Sequence, residues 1–296
     1  MTAPDTSKTD LLATARVAIL GLGLMGGSLA LALRDHCAIL LGVDPDPTTL
    51  ALARQLNIVD RTASEPADLL PEADLIVLAA PVQAIIDLLH ELPALHPEPA
   101  VVLDLGSTKV RIMEAMDSLP ERFDPIGGHP MCGIEKSSLA YADARMFQGA
   151  PFAFTPLPRT SPRAYALTEQ LACTIGARPI WLDPATHDRW TAATSHFPYL
   201  LSNALAFITP SEVSPIVGPG FRSTSRLAAS SLTTMMDILT TNRENVLATL
   251  SCFREHLDLL ADLLTRGDFT TLEELLSLGA ERQKELTGDV GPGGQP

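Results

Sequence analysis

Short, unbroken apolar runs rich in β-branched residues recur at positions 17–21, 39–44, 74–80, 100–105, 151–155 and 178–182. The segments between them carry helical spacing. A strand with one wet face alternates apolar and polar positions, whereas a strand covered on both faces stays apolar throughout. The pattern predicts a parallel sheet with helices on both faces, the doubly wound α/β class. After Asp183 the strand signal stops. Leu247, Leu250, Phe253, Leu257, Leu260 and Leu264 recur three or four apart, which predicts an amphipathic helix over residues 245–264. Thr241 with Glu244, and Thr271 with Glu274, match the capping box that satisfies free amides at a helix start. The strongly apolar segments 196–208 and 227–239 need a surface to bury against. A second subunit supplies one, so a homodimer is expected; packing of these segments on one another is the alternative.

The first apolar run leads into Gly21-Leu22-Gly23-Leu24-Met25-Gly26, a glycine-rich turn that opens a helix. In a dinucleotide-binding turn, a glycine at position 21 allows the tight bend and one at 23 lets a pyrophosphate approach the backbone. One at 26 lets helix and strand pack closely. The amides and helix dipole then hold the phosphates, with Leu24 and Met25 beside them and Ala80 and Pro81 at the end of a neighbouring run. Asp44 closes the second run, 18 residues after Gly26, followed by Pro45-Asp46-Pro47 with no arginine. A carboxylate there binds the adenosine ribose hydroxyls and repels a 2′-phosphate, which favours NAD over NADP. The expected architecture is an N-terminal Rossmann-type parallel-sheet domain at residues 14–183, followed by an all-helical substrate and dimerisation domain at 184–288.

Composition narrows the partners. The formal charge of −14 over 296 residues argues against nucleic acid or an anionic membrane. It also requires a local gathering of Lys and Arg wherever an anionic ligand binds. The four cysteines, Cys37, Cys132, Cys173 and Cys252, are scattered without metal-ligand spacing, so no metal is expected and a reducing cytoplasm is. The start of the chain lacks a basic segment followed by an apolar one, so it reads as a disordered lead-in rather than a signal peptide. Residues 288–296, rich in Gly and Pro, read as a disordered tail.

Three segments combine polar residues with turn glycines: Asp104-Leu-Gly106-Ser107-Thr108-Lys109; Gly127-Gly128-His129-Pro130-Met131-Cys132-Gly133; and His187-Asp188-Arg189-Trp190 through Ser195-His196-Phe197-Pro198-Tyr199. With GLGLMGGS before them and FRSTSRLAAS after, the chain resembles the prephenate/arogenate dehydrogenase family of tyrosine biosynthesis over about residues 16 to 285. That resemblance implies a Rossmann domain followed by a helical dimerisation domain. It also implies oxidation of a ring alcohol by NAD(P)⁺ with loss of the ring carboxylate. His129 occupies the catalytic histidine position, where a neutral imidazole accepts the hydroxyl proton. Ser107 matches a serine that hydrogen-bonds that histidine and the substrate hydroxyl and fixes the tautomer. Arg226 matches an arginine that pairs with a substrate carboxylate, and His196 lies at the substrate pocket. Tyr199 stands where the family has a second histidine, and it leaves the choice between prephenate and arogenate open.

Blander roles are also expected. Ser107 also fits an N-cap for a helix starting near Thr108. Lys109 reads equally well as a solvated first-turn residue, and His187, Asp188 and Arg189 as a polar cluster at a helix start. His36, His90, His96 and His256 read as solvated, and Trp181 and Trp190 as core. A histidine base predicts an acid limb near pH 6–7. Rossmann-plus-helical dehydrogenases acting on β-hydroxy acids or cyclic imines commonly use a lysine of the second domain, and this chain has none between Lys136 and Lys284. An NAD-binding sensor without activity would not need Ser107, His129 and Arg226 together. Because the chain ends soon after the last predicted helix, no fused regulatory or chorismate mutase domain is expected.

Overall fold

The computed structural model describes residues 10–288. Its strands are β1 (Arg16–Leu20), β2 (Ile39–Val43), β3 (Arg61–Ala63), β4 (Leu75–Leu78), β5 (Ala100–Asp104), β6 (Phe123–Pro130), β7 (Pro151–Pro156) and β8 (Arg178–Trp181). They form one sheet in the order β3-β2-β1-β4-β5-β6-β7-β8. Val17 and Ile19 of β1 enter the core on one face, while Ala18 and Leu20 enter the core on the other. Because both faces are covered, neither set of positions is free to be polar. Helices α1 (Leu11–Thr14), α2 (Leu24–Leu33), α3 (Pro47–Leu56), α4 (Val82–Leu95), α5 (Val110–Asp117) and α6 (Pro162–Thr174) accompany the sheet. Leu29 of α2 and Leu167 of α6 cover one face, and Ile85 of α4 and Ile112 of α5 the other. The fold is α/β with a Rossmann-like sheet, followed by helices.

Two sheet features depart from the expected pattern. β7 runs antiparallel to β6, whereas all other neighbouring strands are parallel. A parallel neighbour requires a crossover, usually a helix. Residues 131–150 provide only two 3₁₀ turns, Leu139–Tyr141 and Ala144–Phe147, so the chain returns beside β6 in the opposite sense. The Gly127-Gly128-His129-Pro130 motif does not follow a strand but is the end of β6 itself.

From Pro184 the chain is helical: α7 (Pro184–Thr191), a π turn at Ala192–His196, α8 (Phe197–Ile208), α9 (Pro219–Ser225), α10 (Leu232–Thr241), α11 (Arg243–Arg266) and α12 (Phe269–Thr287). Contacts divide the chain into two compact units, Met1–Val246 and Leu247–Pro296. The expected helix at 245–264 is α11. Neither predicted capping box forms. Thr241 ends α10, with its hydroxyl donating to the Asp237 carbonyl at 2.8 Å. At α12 the cap is Asp268, whose carboxylate accepts from the Thr271 amide at 3.2 Å and the Thr271 hydroxyl at 2.9 Å. Among the described residues, no helix is long and apolar enough to cross a membrane.

The lead-in and tail readings concern residues 1–9 and 289–296, which lie outside the described residues. Residues 10–15 contradict the lead-in reading: Asp10 caps α1, Leu12 is buried, and the Leu11 amide donates to Gln170 Oε1 at 2.9 Å. His96 is buried rather than solvated, with Nδ1 2.8 Å from the Leu70 carbonyl oxygen. Trp181 and Trp190 are exposed rather than core. At the sheet edge Trp181 packs on the α6 side, against Phe154 and Tyr165.

Candidate active site

The glycine-rich turn sits between β1 and β4, where the strand order reverses and the carboxyl ends of the strands leave a crevice. Gly21 has φ 94°, and a Cβ there would lie 2.4 Å from the Ala79 carbonyl oxygen. A Cβ on Gly26 would meet the Gly21 carbonyl oxygen at 1.9 Å, so helix and strand touch through bare backbone. Gly23 is the opposite case. It caps α2, and a Cβ there would meet nothing within 4 Å, because that space belongs to the cleft. The first turn of α2 contains no acidic residue, so its free amides and dipole are available to an anion. This cradle fits a dinucleotide pyrophosphate. Leu24, Met25, Ala80 and Pro81 line the same cleft. Asp44 stands just past β2, outside that lining. Its Oδ2 accepts from the Leu22 amide at 2.8 Å and its Oδ1 from the Asp46 amide at 2.9 Å, tying β2 to the turn.

The far end of the cleft is organised by a buried ion pair. Asp104, the last residue of β5, accepts from the Gly106 amide at 2.7 Å and the Gly128 amide at 3.1 Å. It also pairs with Lys109 Nζ, which donates again to the Gly128 carbonyl at 2.6 Å. Lys109 is therefore not a solvated residue; no part of its side chain reaches solvent. Burial pushes the Asp104 carboxyl up and the Lys109 ammonium down, and the pair opposes both shifts. The pair holds Gly128 from both sides, one residue before His129.

His129 lines the cleft of about 1030 Å³ together with Gly23, Ser107 and residues of the helical region. Its Nδ1 lies 2.9 Å from His187 Nε2, and His187 Nδ1 lies 2.8 Å from Asp188 Oδ1. Asp188 caps α5, accepting from the amides of Lys109 at 2.7 Å and Val110 at 2.9 Å. Ser107 shares the cleft with His129, but among the described residues no hydrogen bond joins them, and the N-cap role expected of it falls to Asp188. Burial, followed by His187, Lys109 and His196, holds the His129 imidazole well below its ordinary pKa. Burial lowers His187 as well, against the pull of Asp188. His196 is pushed down to about 4, first by burial, with Asp188 opposing. For a base at His129 this direction puts the acid limb to be looked for below the expected pH 6–7.

The substrate-side candidates are spread more widely. His196 closes the π turn and is buried, with Nδ1 3.1 Å from Asn242 Nδ2. A π turn is common at functional sites, and here it brings Thr194 and Ser195 to the cleft. Tyr199 is buried against Met235 and Ile238. Arg226 pairs with Glu135, which lines the cleft as Arg226 itself does not. Lys136, 4.4 Å over the Tyr141 ring, is the cation among the lining residues. No group of acidic, Cys or His residues among those described is arranged to hold a metal. His187, Asp188 and Lys109 are the participants that sequence reasoning passed over. Besides the near neighbours Asp104 and the His187–Asp188 pair itself, their partners lie 58, 79 and 19 residues away, and no local spacing announces those.

Residues 29–181 match the family model described as the prephenate dehydrogenase nucleotide-binding domain. Residues 183–278 match the prephenate dehydrogenase dimerization domain. The chain belongs to the prephenate dehydrogenase family. It is 32% identical over 241 residues to the prephenate dehydrogenase of Bacillus subtilis, covering 78% of this chain and 65% of that protein, slightly under two thirds of its length. The crystal structure of Aquifex aeolicus prephenate dehydrogenase with hydroxyphenyl propionate and NAD⁺ has a TM-score of 0.85 at 28% identity, covering 93% of this chain and 99% of that one. Synechocystis arogenate dehydrogenase gives a TM-score of 0.77 at 30% identity, covering 91% and 99% of the two chains.

Proposed function

We propose that this prephenate dehydrogenase relative oxidises prephenate with NAD⁺, releasing the ring carboxylate as CO₂ and leaving 4-hydroxyphenylpyruvate. The carrying observation is that His129 lines the same cleft as the bare Gly23 turn, with Nδ1 already engaged by His187. Bound NAD⁺ supplies the hydride acceptor. Gly21, Gly23, Gly26, Leu24, Met25, Ala80 and Pro81 hold it, and Asp44 selects against a 2′-phosphate. His129 Nε2 takes the proton of the ring hydroxyl as that carbon gives up its hydride, and Ser107 orients the hydroxyl from across the cleft. Arg226, paired with the cleft-lining Glu135, receives a substrate carboxylate in exchange for that partner, and His196 and Tyr199 pack behind the cleft lining. The Lys109–Asp104 pair keeps the strand end beneath His129 fixed, so the base stands in place before substrate arrives.

Residues 14–183 serve as the dinucleotide domain and 184–288 as the substrate and dimerisation domain of a cytoplasmic homodimer. The dimer is supported by the dimerization-domain match and by Phe207, Ile216 and Leu232, which are 90%, 83% and 66% exposed. Arogenate is the second substrate reading, favoured by the likeness to Synechocystis arogenate dehydrogenase. Initial rates of NADH and NADPH formation with each substrate decide the matter. Faster turnover of prephenate with NAD⁺ is expected; preference for arogenate, or no turnover of either, overturns the reading.

A further inference from the structure

The side chains behind His129 form a directed chain of hydrogen bonds that ends at the start of α5. Asp188 accepts at three points: Oδ1 from the Lys109 amide and from His187 Nδ1, Oδ2 from the Val110 amide, at 2.7, 2.8 and 2.9 Å. Backbone amides can only donate, so they fix both carboxylate oxygens as acceptors, and the amino end of a helix favours the anion. Asp188 and His187 are each 1% exposed, which keeps water from reversing the pattern. With Asp188 accepting, His187 must carry its proton on Nδ1. The neutral His187 ring then presents a bare Nε2. The 2.9 Å contact with His129 Nδ1 is a hydrogen bond only if the proton sits on His129. The remaining ring nitrogen, His129 Nε2, is left with its lone pair.

We infer that Asp188 and His187 are positioning residues that hold His129 in the Nδ1–H tautomer, leaving Nε2 as the atom that accepts the substrate proton. This rests on the dehydrogenase reading only for the identity of the proton donor. The opposite tautomer places an N–H where the hydroxyl proton must go and removes the base. The same chain serves the step itself. When Nε2 takes the proton, the new imidazolium forms beside Lys109 and His196, and its Nδ1–H points through His187 toward the Asp188 anion. Lys109 faces its own counter-charge, Asp104. Ser107, which the resemblance casts as the tautomer-fixing partner, is left free for the substrate hydroxyl.

The test is ¹⁵N NMR of histidine-labelled protein, wild type and variants, alongside steady-state rates and NAD⁺ binding. In wild type without substrate, His129 Nδ1 is expected at a protonated, pyrrole-like shift and Nε2 at a bare, pyridine-like shift. His187→Leu should lose this pattern and lower kcat by about 10²–10⁴-fold, the contribution of a positioned base, with a base held in the wrong tautomer at its upper end. KM and NAD⁺ affinity should stay within about twofold, since neither contact is made by His187. His187→Gln offers a carbonyl acceptor near the same place, so it should keep the Nδ1–H tautomer and recover most of kcat. Wild-type His129 protonated on Nε2, or His187→Leu with unchanged tautomer and kcat, overturns the inference. So does His187→Gln that binds NAD⁺ normally yet recovers no more than His187→Leu. The NMR needs no substrate. A protein showing the expected tautomers but no turnover of prephenate or arogenate contradicts the proposed function and leaves the tautomer assignment standing.

Discussion

Replacing Lys109 with Met removes the cation from the buried pair and leaves Asp104 with only the Gly106 and Gly128 amides as donors. Breaking such a pair from one side typically costs about 3–5 kcal/mol, because a buried charge is left uncompensated. The Gly128 carbonyl also loses its Nζ donor, worth about 1–3 kcal/mol when left unsatisfied in the interior. The two retained amides pull the sum toward its lower end, so a loss of about 4–5 kcal/mol at pH 7.5 is expected, or about 8–20 °C in Tm. The deficit should depend on pH in a definite sense. Without Lys109, burial raises the Asp104 carboxyl in the folded state above its unfolded value. Folding then disfavours the anion, and the penalty grows as pH rises and fades as the group protonates toward about pH 4. Urea unfolding of both proteins, followed by far-ultraviolet circular dichroism at pH 5 and 7.5, measures this directly. A variant within about 0.5 kcal/mol of wild type at pH 7.5 refutes the reasoning, since even one unsatisfied buried group exceeds that. A deficit that widens in acid refutes the charge argument.

Three histidines, His129 in the cleft lining and His187 and His196 behind it, all have depressed basicity from burial, so folding favours their neutral forms. Stability should be full above pH 6.5 and fall as pH drops through the folded values. His196, at about 4, should contribute about 3 kcal/mol of that loss, which His196→Gln should remove from the pH dependence of urea midpoints. For the same reason the acid limb of kcat/KM should lie below pH 6.5, and a limb at or above 6.5 in a pH–rate profile contradicts the buried-base assignment. Arg226→Ala should raise KM for prephenate by about tenfold or more while NAD⁺ affinity, measured by fluorescence titration, is unchanged. Asp44 with no adjacent arginine should give kcat/KM at least about tenfold higher with NAD⁺ than NADP⁺, and equal values refute it.

Most of the sheet was legible because burial on both faces erases polar positions, and the surviving apolar runs mark β1, β2, β4, β5 and β7; β8 was legible from its own short apolar run although it is an exposed edge strand. β3 is too short for that signal, with Arg61 exposed at its start. The end of β6 hides because Gly127-Gly128-His129-Pro130 has turn composition. Its glycines are there for close approach to Asp104 and Thr155, not for a bend. The cofactor turn could be read locally, since its glycines, helix and carboxylate sit within one βαβ unit. The chemistry beyond His129 could not. Lys109 looks solvated in sequence because nothing nearby reveals that Asp104 and the Gly128 carbonyl surround it. The polar cluster at the start of α7 gains meaning only when the fold sets it beside β6 and the start of α5.

The central claim is that His129 accepts a proton as NAD⁺ takes a hydride in this cleft, and His129→Ala tests it most directly. Initial rates of NADH formation from prephenate should show clear turnover by the wild type. The variant's kcat should fall by roughly 10²–10⁴-fold, the usual contribution of a positioned base, with NAD⁺ affinity and melting behaviour little changed. A variant with near-normal kcat and the wild-type acid limb would contradict the claim and send the search for the base to another residue.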